Sequence, residues 1–371
     1  MTPTPTDMLA DIGVSIWLDD LSKDRLISGS LRSLMDEHTV VGVTSNPTIF
    51  AGSVAGSDSY QSDIHDMAAQ GLSAEDAAFA LMVSDVQAAC DLLREVYDAT
   101  TGIDGRVSLE VSPTLAHDTE ATVTQAMALW KQVNRANLMV KIPATLAGIP
   151  AITRVVAQGV SVNVTLIFSL KRYRDVIAAY VAGIALAAEN GHDISTIHSV
   201  ASFFVSRVDS AIDPQLEKIG SPEALGLKSQ AAIANARLAY ELFEQLHATP
   251  EASALIAQGM NHQRPLWAST GVKDPTLPET LYVTELAVAN TVNTMPEKTL
   301  LATARDGGVN GDRVHGHYDD ARAVMASLAA LGVSLDSVTE ELESEGVAKF
   351  IASWHELLET VSRAMEGSAQ A

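Results

Sequence analysis

Short apolar, β-branched runs recur along the chain, and each is followed by a longer segment whose apolar residues return every three or four positions. Eight such runs stand out: Val14 to Leu18, Val40 to Thr44, Val107 to Val111, Leu138 to Ile142, Val160 to Phe168, Thr196 to Val200, Leu266 to Ala268 and Thr291 to Asn293. Most are apolar along nearly their whole length, as parallel strands covered on both faces should be. Between them, Ala77 to Tyr97 repeats Phe79, Met82, Val83, Val86, Cys90, Leu93 and Tyr97 at helical steps, with Ser73 and Asp76 spaced as a capping box. Asp118 is placed to cap a helix through Trp130, and Gln230 to Leu246 and Ala321 to Leu331 repeat the period. The tail from Ser337 to Met365 reads as two helices broken near Gly346. Eight strands, a helix after each and extra terminal helices predict an α/β fold, a (β/α)8 barrel spanning residues 1–371 as a single domain.

Composition agrees with this reading. The 371 residues are 47% hydrophobic, enough for a large core, and the formal net charge is −22. So acidic a surface repels the phosphates of nucleic acids and the anionic face of membranes, so neither is expected as a partner. An anionic substrate then needs a local basic pocket. Cys90 is the one cysteine, which rules out an intramolecular disulfide, and no Cys/His spacing suggests a metal site. The first residues, MTPTPTDMLADIG, show neither signal-peptide nor anchor pattern, and no apolar run approaches about 18 residues, so a cytoplasmic protein is expected.

In a barrel of this kind chemistry collects where strands end at the C-terminal face. The polar residues there are Asp19, Asn46, Glu110, Lys141, Asn163, Thr165, Ser202 and Arg207, with Ser269 and Lys273 after the seventh strand. Lys141 closes an apolar run before a proline-bearing turn; a desolvated amine there can attack a carbonyl, while the plainer alternative is a solvated strand end. Asp19 and Asp20 suit a general acid and base, or helix caps, one of the pair facing the mouth. Glu110 and Thr165 can hold a water in one cavity, or satisfy one another. Asn46 before Pro47 is a natural helix cap. Arg207 and Lys273 are candidate phosphate ligands, or surface charges.

Lys171, Arg172 and Arg174 read as a solvated helix start, and Asp306 to Asp312 as a turn-rich loop. His315 and His317 lack a third ligand nearby in sequence, and Cys90 falls on an apolar helix face as a core residue. Asn163-Val-Thr165 matches a glycosylation triplet but lies inside a buried strand.

Assembled, these segments resemble the transaldolase family. Gly42-Val-Thr-Ser-Asn-Pro-Thr48 is similar to its first signature and Val140-Lys-Ile-Pro-Ala-Thr145 to its second, and the likeness runs from the first strand to Val292-Asn-Thr-Met-Pro296. It implies a (β/α)8 TIM barrel, circularly permuted relative to other class I aldolases, working without metal or coenzyme. It makes Lys141 a Schiff-base nucleophile and Asp19 the acid/base for carbon–carbon cleavage, with Glu110 and Thr165 holding the water of imine formation. By the same resemblance Asn46, Asn163 and Ser202 would bind the hydroxyls of a dihydroxyacetone unit and Arg207 the sugar phosphate, with Ser269 and Lys273 as further candidate substrate contacts. Many relatives carry a second phosphate-binding arginine after the seventh strand; here Lys273 is the residue available. The overall form resembles the longer actinobacterial and cyanobacterial branch. The implied reaction moves a dihydroxyacetone unit from sedoheptulose 7-phosphate to glyceraldehyde 3-phosphate, giving erythrose 4-phosphate and fructose 6-phosphate in the non-oxidative pentose phosphate pathway. The alternatives are a class I aldolase such as fructose 6-phosphate aldolase, or a catalytically silent sugar-phosphate-binding barrel. Monomer and homodimer both stay open.

Overall fold

The structure, a computed structural model, describes residues 3–368. Eight strands close a parallel barrel in chain order: β1 (Val14–Leu18), β2 (Val40–Val43), β3 (Arg106–Glu110), β4 (Leu138–Pro143), β5 (Val162–Ile167), β6 (Ser199–Phe204), β7 (Gln263–Ala268) and β8 (Thr291–Met295). β8 seals the cylinder against β1, from Val14 opposite Thr291 to Leu18 opposite Met295. Helices separate the strands and turn their apolar faces inward, so the predicted (β/α)8 architecture holds. The β7–β8 connection carries only the four-residue helix Leu281–Thr284.

Several boundaries differ from the sequence expectation for local reasons. Thr196 is not in a strand, because Asp193 folds Ile194–Thr196 into a 3-10 turn by accepting from Ser195 N at 3.0 Å. β6 instead continues through Ala201 to Phe204, which puts Ser202 within the strand. β7 starts upstream of Pro265, a residue whose presence hides that start from pattern reading. The helix expected from Ala77 to Tyr97 steps at Leu93 (φ −85°, ψ 1°) into Ala74–Leu92 and Arg94–Ala99.

The tail departs most. Leu335–Ser368 is one continuous helix, and Gly346 does not break it. At Gly346 this helix crosses tightly against the end of β5: a Cβ there would lie 2.9 Å from Leu166 Cδ2. Leu166 has a left-handed backbone (φ 61°) at an irregularity of β5, where register with β6 jumps between Val164 and Ile167. The helix is tied down on both sides of that crossing. Arg172 holds Glu343 with Nε and Nη2 at 3.1 and 3.2 Å, so Arg172 is not simply solvated; Thr48 Oγ1 meets Ser353 Oγ at 2.8 Å; Phe79 packs on Trp354 with ring centroids 4.9 Å apart. Among the described residues, no single helix is long and apolar enough to cross a membrane.

Candidate active site

Strand alternation turns Glu110, Lys141, Asn163 and Thr165 into the barrel. The register sets Glu110 beside Lys141 and Lys141 beside Asn163, with Thr165 one step higher beside Pro143. Lys141 is only 5% exposed and Glu110 2%. The ammonium donates to Ser45 O at 3.0 Å and lies 3.2 Å from Glu110 Oε2. Burial pushes the Glu110 carboxyl above its ordinary range, with Lys141 pulling the other way.

Asp19 follows β1 and half-buried lines a cavity at the C-terminal mouth. Its Oδ1 accepts from Thr44 Oγ1 at 2.7 Å. Thr44 has one hydroxyl proton and spends it there, so the 2.7 Å contact with Thr294 Oγ1 is a bond that Thr294 donates. Burial raises the Asp19 pKa, against the lowering influence of Lys141 and Thr44. Capping falls to neither aspartate: Ser22 caps helix Lys23–Ile27, and Asp20 pairs with Arg25.

Thr165 Oγ1 and Glu110 Oε2 are fully buried and make no hydrogen bond, so the two residues do not satisfy one another. Glu110 Oε2 has the Lys141 ammonium beside it, whereas the Thr165 hydroxyl, which lines the cavity, has no partner among the described residues and is suited to a water or a substrate hydroxyl. Asn163 does not itself line the cavity. It is fully buried, and its amide donates to Ser108 Oγ (2.9 Å) and accepts from Ser202 Oγ (2.7 Å), using one N–H and one lone pair. It therefore positions Ser202, which does line the cavity.

Asn46 lines the cavity and also caps helix Pro47–Gly56, accepting from Ile49 N at 3.0 Å. Arg207, at the start of helix Ser206–Ile219, points no hydrogen bond or ion pair at any described residue; its guanidinium lies over the Phe204 ring at 5.1 Å. Lys273, also lining the cavity, is likewise unpaired, and Ser269, strained at φ 56°, bonds Ser206 at 3.0 Å. Two unengaged cations in a cavity of so acidic a protein form the local basic pocket that an anion requires.

Sequence reasoning missed Thr44, Thr294 and Phe350. Thr44 sits at a strand end and was within reach of that criterion; Phe350, far away on the terminal helix, carried no signal in its spacing. Its ring lies 5.8 Å from Lys141 Nζ. The cavity holds about 150 Å³. A larger one, about 370 Å³, opens at the N-terminal ends of the strands, lined by Ser15, Asp104, His198 and Arg264 among others. There Arg264 is already engaged by Ser15, Asp104 and the Ile103 carbonyl, and burial pushes the His198 pKa down to about 3. That network closes the barrel floor and offers no reactive amine. Among the described residues no cluster of three or more His, Cys, Asp or Glu is arranged to hold a metal; His315 is engaged by Asp312 and Glu244, and Cys90 is buried with its thiol pushed up to about 12.

Fold and site together define a class: a (β/α)8 barrel with a buried lysine–carboxylate centre at its C-terminal mouth. The Transaldolase/Fructose-6-phosphate aldolase family matches residues 16–361, and the chain belongs to that family. It is 55% identical over 360 residues to a transaldolase of Thermobifida fusca, covering 97% of this chain and 98% of that one. It is 56% identical over 364 residues to a transaldolase of Acidothermus cellulolyticus, with the same coverage, and 56% identical over 358 residues to transaldolase 1 of Streptomyces coelicolor, covering 96% and 94%.

Proposed function

We propose that this chain is a transaldolase, a cytoplasmic single-domain enzyme that carries a dihydroxyacetone unit between sugar phosphates on Lys141. The observation that carries the reading is the Lys141 amine, buried 3.2 Å from Glu110 and facing a cavity shared with Asp19 and the unpaired Arg207.

Glu110 takes a proton from Lys141, and the freed amine attacks the C2 carbonyl of a ketose phosphate. Glu110 returns that proton, through a water held with Thr165, to the departing C2 hydroxyl, leaving an iminium. Asp19 removes the C4 hydroxyl proton; the C3–C4 bond breaks, its electrons move into the iminium, and an aldose phosphate leaves. The enamine on Lys141 then attacks the aldehyde of a second aldose phosphate, whose oxygen takes the proton back from Asp19. Hydrolysis of the new imine releases the product ketose. Arg207 and Lys273 hold the phosphate, while Asn46, Ser202 and Ser269 face the sugar hydroxyls, with Asn163 orienting Ser202.

Sedoheptulose 7-phosphate with glyceraldehyde 3-phosphate is the substrate pair of this reading. The test is release of glyceraldehyde 3-phosphate from fructose 6-phosphate with and without erythrose 4-phosphate. Turnover that requires the acceptor supports transfer; equal turnover without it makes the chain a fructose 6-phosphate aldolase, and binding without turnover makes it a silent barrel.

A further inference from the structure

The chemistry above has a weak point. Between departure of the first aldose and arrival of the second, an electron-rich enamine sits on Lys141, and a proton from water at its C3 carbon would divert it. The diverted enamine becomes an iminium again, the water lost during imine formation returns to C2, and dihydroxyacetone leaves the lysine. The net outcome is simple cleavage of the ketose phosphate, with no further reactant consumed. A transferase therefore has to keep water from a carbon two bonds away from Lys141 Nζ.

Phe350 is the group so placed. Its ring centroid lies 5.8 Å from Lys141 Nζ, the side chain is 3% exposed, and it forms part of the cavity wall facing the lysine. Phe204, Ala268 and Pro296 are the other apolar side chains of the wall, and most of the rest is polar, including Asp19, Asn46, Thr165 and the two cations; Phe350 is the ring that faces the lysine nitrogen. The ring is not free to drift. It rides on the terminal helix between the Glu343 anchor to Arg172 and the Ser353 and Trp354 anchors to Thr48 and Phe79, while Gly346 lets the helix settle against Leu166. At about 150 Å³ the covered cavity is small beside the roughly 300–1,000 Å³ common for ligand pockets, which leaves little room for water beside a bound fragment. The ring face also favours a cation at the lysine nitrogen, the charge state of the iminium.

We propose that Phe350 is a specificity-determining residue: the terminal helix brings it over Lys141 as an apolar cover, and that cover sets the ratio of transfer to simple cleavage. The inference rests on the transaldolase reading. The experiment compares wild type, Phe350→Ala and Phe350→Leu with fructose 6-phosphate, measuring glyceraldehyde 3-phosphate release with and without erythrose 4-phosphate, and deuterium incorporated into released dihydroxyacetone in heavy water. Wild type without acceptor should release about one equivalent per site and then stall. Phe350→Ala should raise the acceptor-free rate relative to the acceptor-dependent rate at least tenfold, with deuterium in the product, and Phe350→Leu should leak less than Phe350→Ala. Because both rates come from the same folded molecules, partial misfolding cancels in the ratio. An unchanged ratio in Phe350→Ala overturns the proposal, as does a Leu variant that leaks equally. Free turnover by wild type without acceptor would instead be the failure of the transferase reading.

Discussion

Glu110 and Lys141 face each other across neighbouring strands, paired in register on β3 and β4 with Oε2 3.2 Å from Nζ. Buried ion pairs contribute little net stability, because desolvation offsets most of their attraction. The proposed mechanism gives the pair a role in proton exchange: a carboxyl whose pKa is raised by burial can accept and return the proton of the amine beside it.

On the proposed mechanism, Asp19 separates two stages of the reaction. Asp19→Asn keeps the imine step but removes the base that opens the C3–C4 bond, so turnover should fall about 10²–10⁴-fold. Borohydride reduction followed by intact mass should then show a six-carbon adduct on the protein in place of a three-carbon one. A three-carbon adduct at the wild-type rate would remove Asp19 from the cleavage step.

Thr165 should dissociate stability from activity. Its hydroxyl is buried with no protein partner, so Thr165→Val breaks no hydrogen bond within the protein and should leave the melting temperature unchanged or higher. Imine formation should slow by at least about tenfold, since a positioned water is lost. Equal trapping rates for the two proteins would contradict the water-holding role.

Arg207 and Lys273 should act on phosphate rather than on the chemistry at Lys141. A hydrogen bond to a charged group contributes about 1.5–3 kcal/mol, so Arg207→Leu should raise KM for fructose 6-phosphate about 10–100-fold. Lys273→Ala should raise it less, and neither should raise KM for an unphosphorylated ketose. Unchanged KM in Lys273→Ala would place that lysine outside the site.

Asp209 gives a pH signature of stability. It is buried two residues beyond Arg207, accepts from Ala232 N and Tyr282 hydroxyl, each at 2.8 Å, and burial pushes its pKa up to about 6. The folded protein then holds a proton that the unfolded chain gives up near 3.8, so this group's contribution is full below that value and is lost as pH rises to about 6. Asp209→Asn has nothing to titrate, so its stability relative to wild type should climb across that window, by up to about 3 kcal/mol. Denaturant midpoints of both proteins at pH 4 and 7 measure this; a constant difference would show that Asp209 titrates normally.

Much of this was legible in the chain itself. Eight apolar runs with helical intervals are enough to name the barrel, and polar residues at strand ends are enough to find Lys141, Glu110, Asp19 and Arg207. Ser202 was misread as lying beyond its strand because Ala201 to Phe204 lacks the β-branched residues that mark β5. Asn163 showed its polarity but not its bonds, which depend on Ser108 and Ser202 from other strands. Gly346 looked like a helix breaker because spacing does not reveal Leu166 pressing against it, and so the cover over the site, Phe350, stayed out of view.

The central claim is a covalent bond from Lys141 to the substrate. Borohydride trapping with fructose 6-phosphate, read by intact mass and peptide mapping on wild type and Lys141→Ala, tests it most directly. The account predicts a three-carbon adduct on the peptide containing Lys141 and none on the variant. A folded wild type that gains no mass, or an adduct on another lysine, would contradict it.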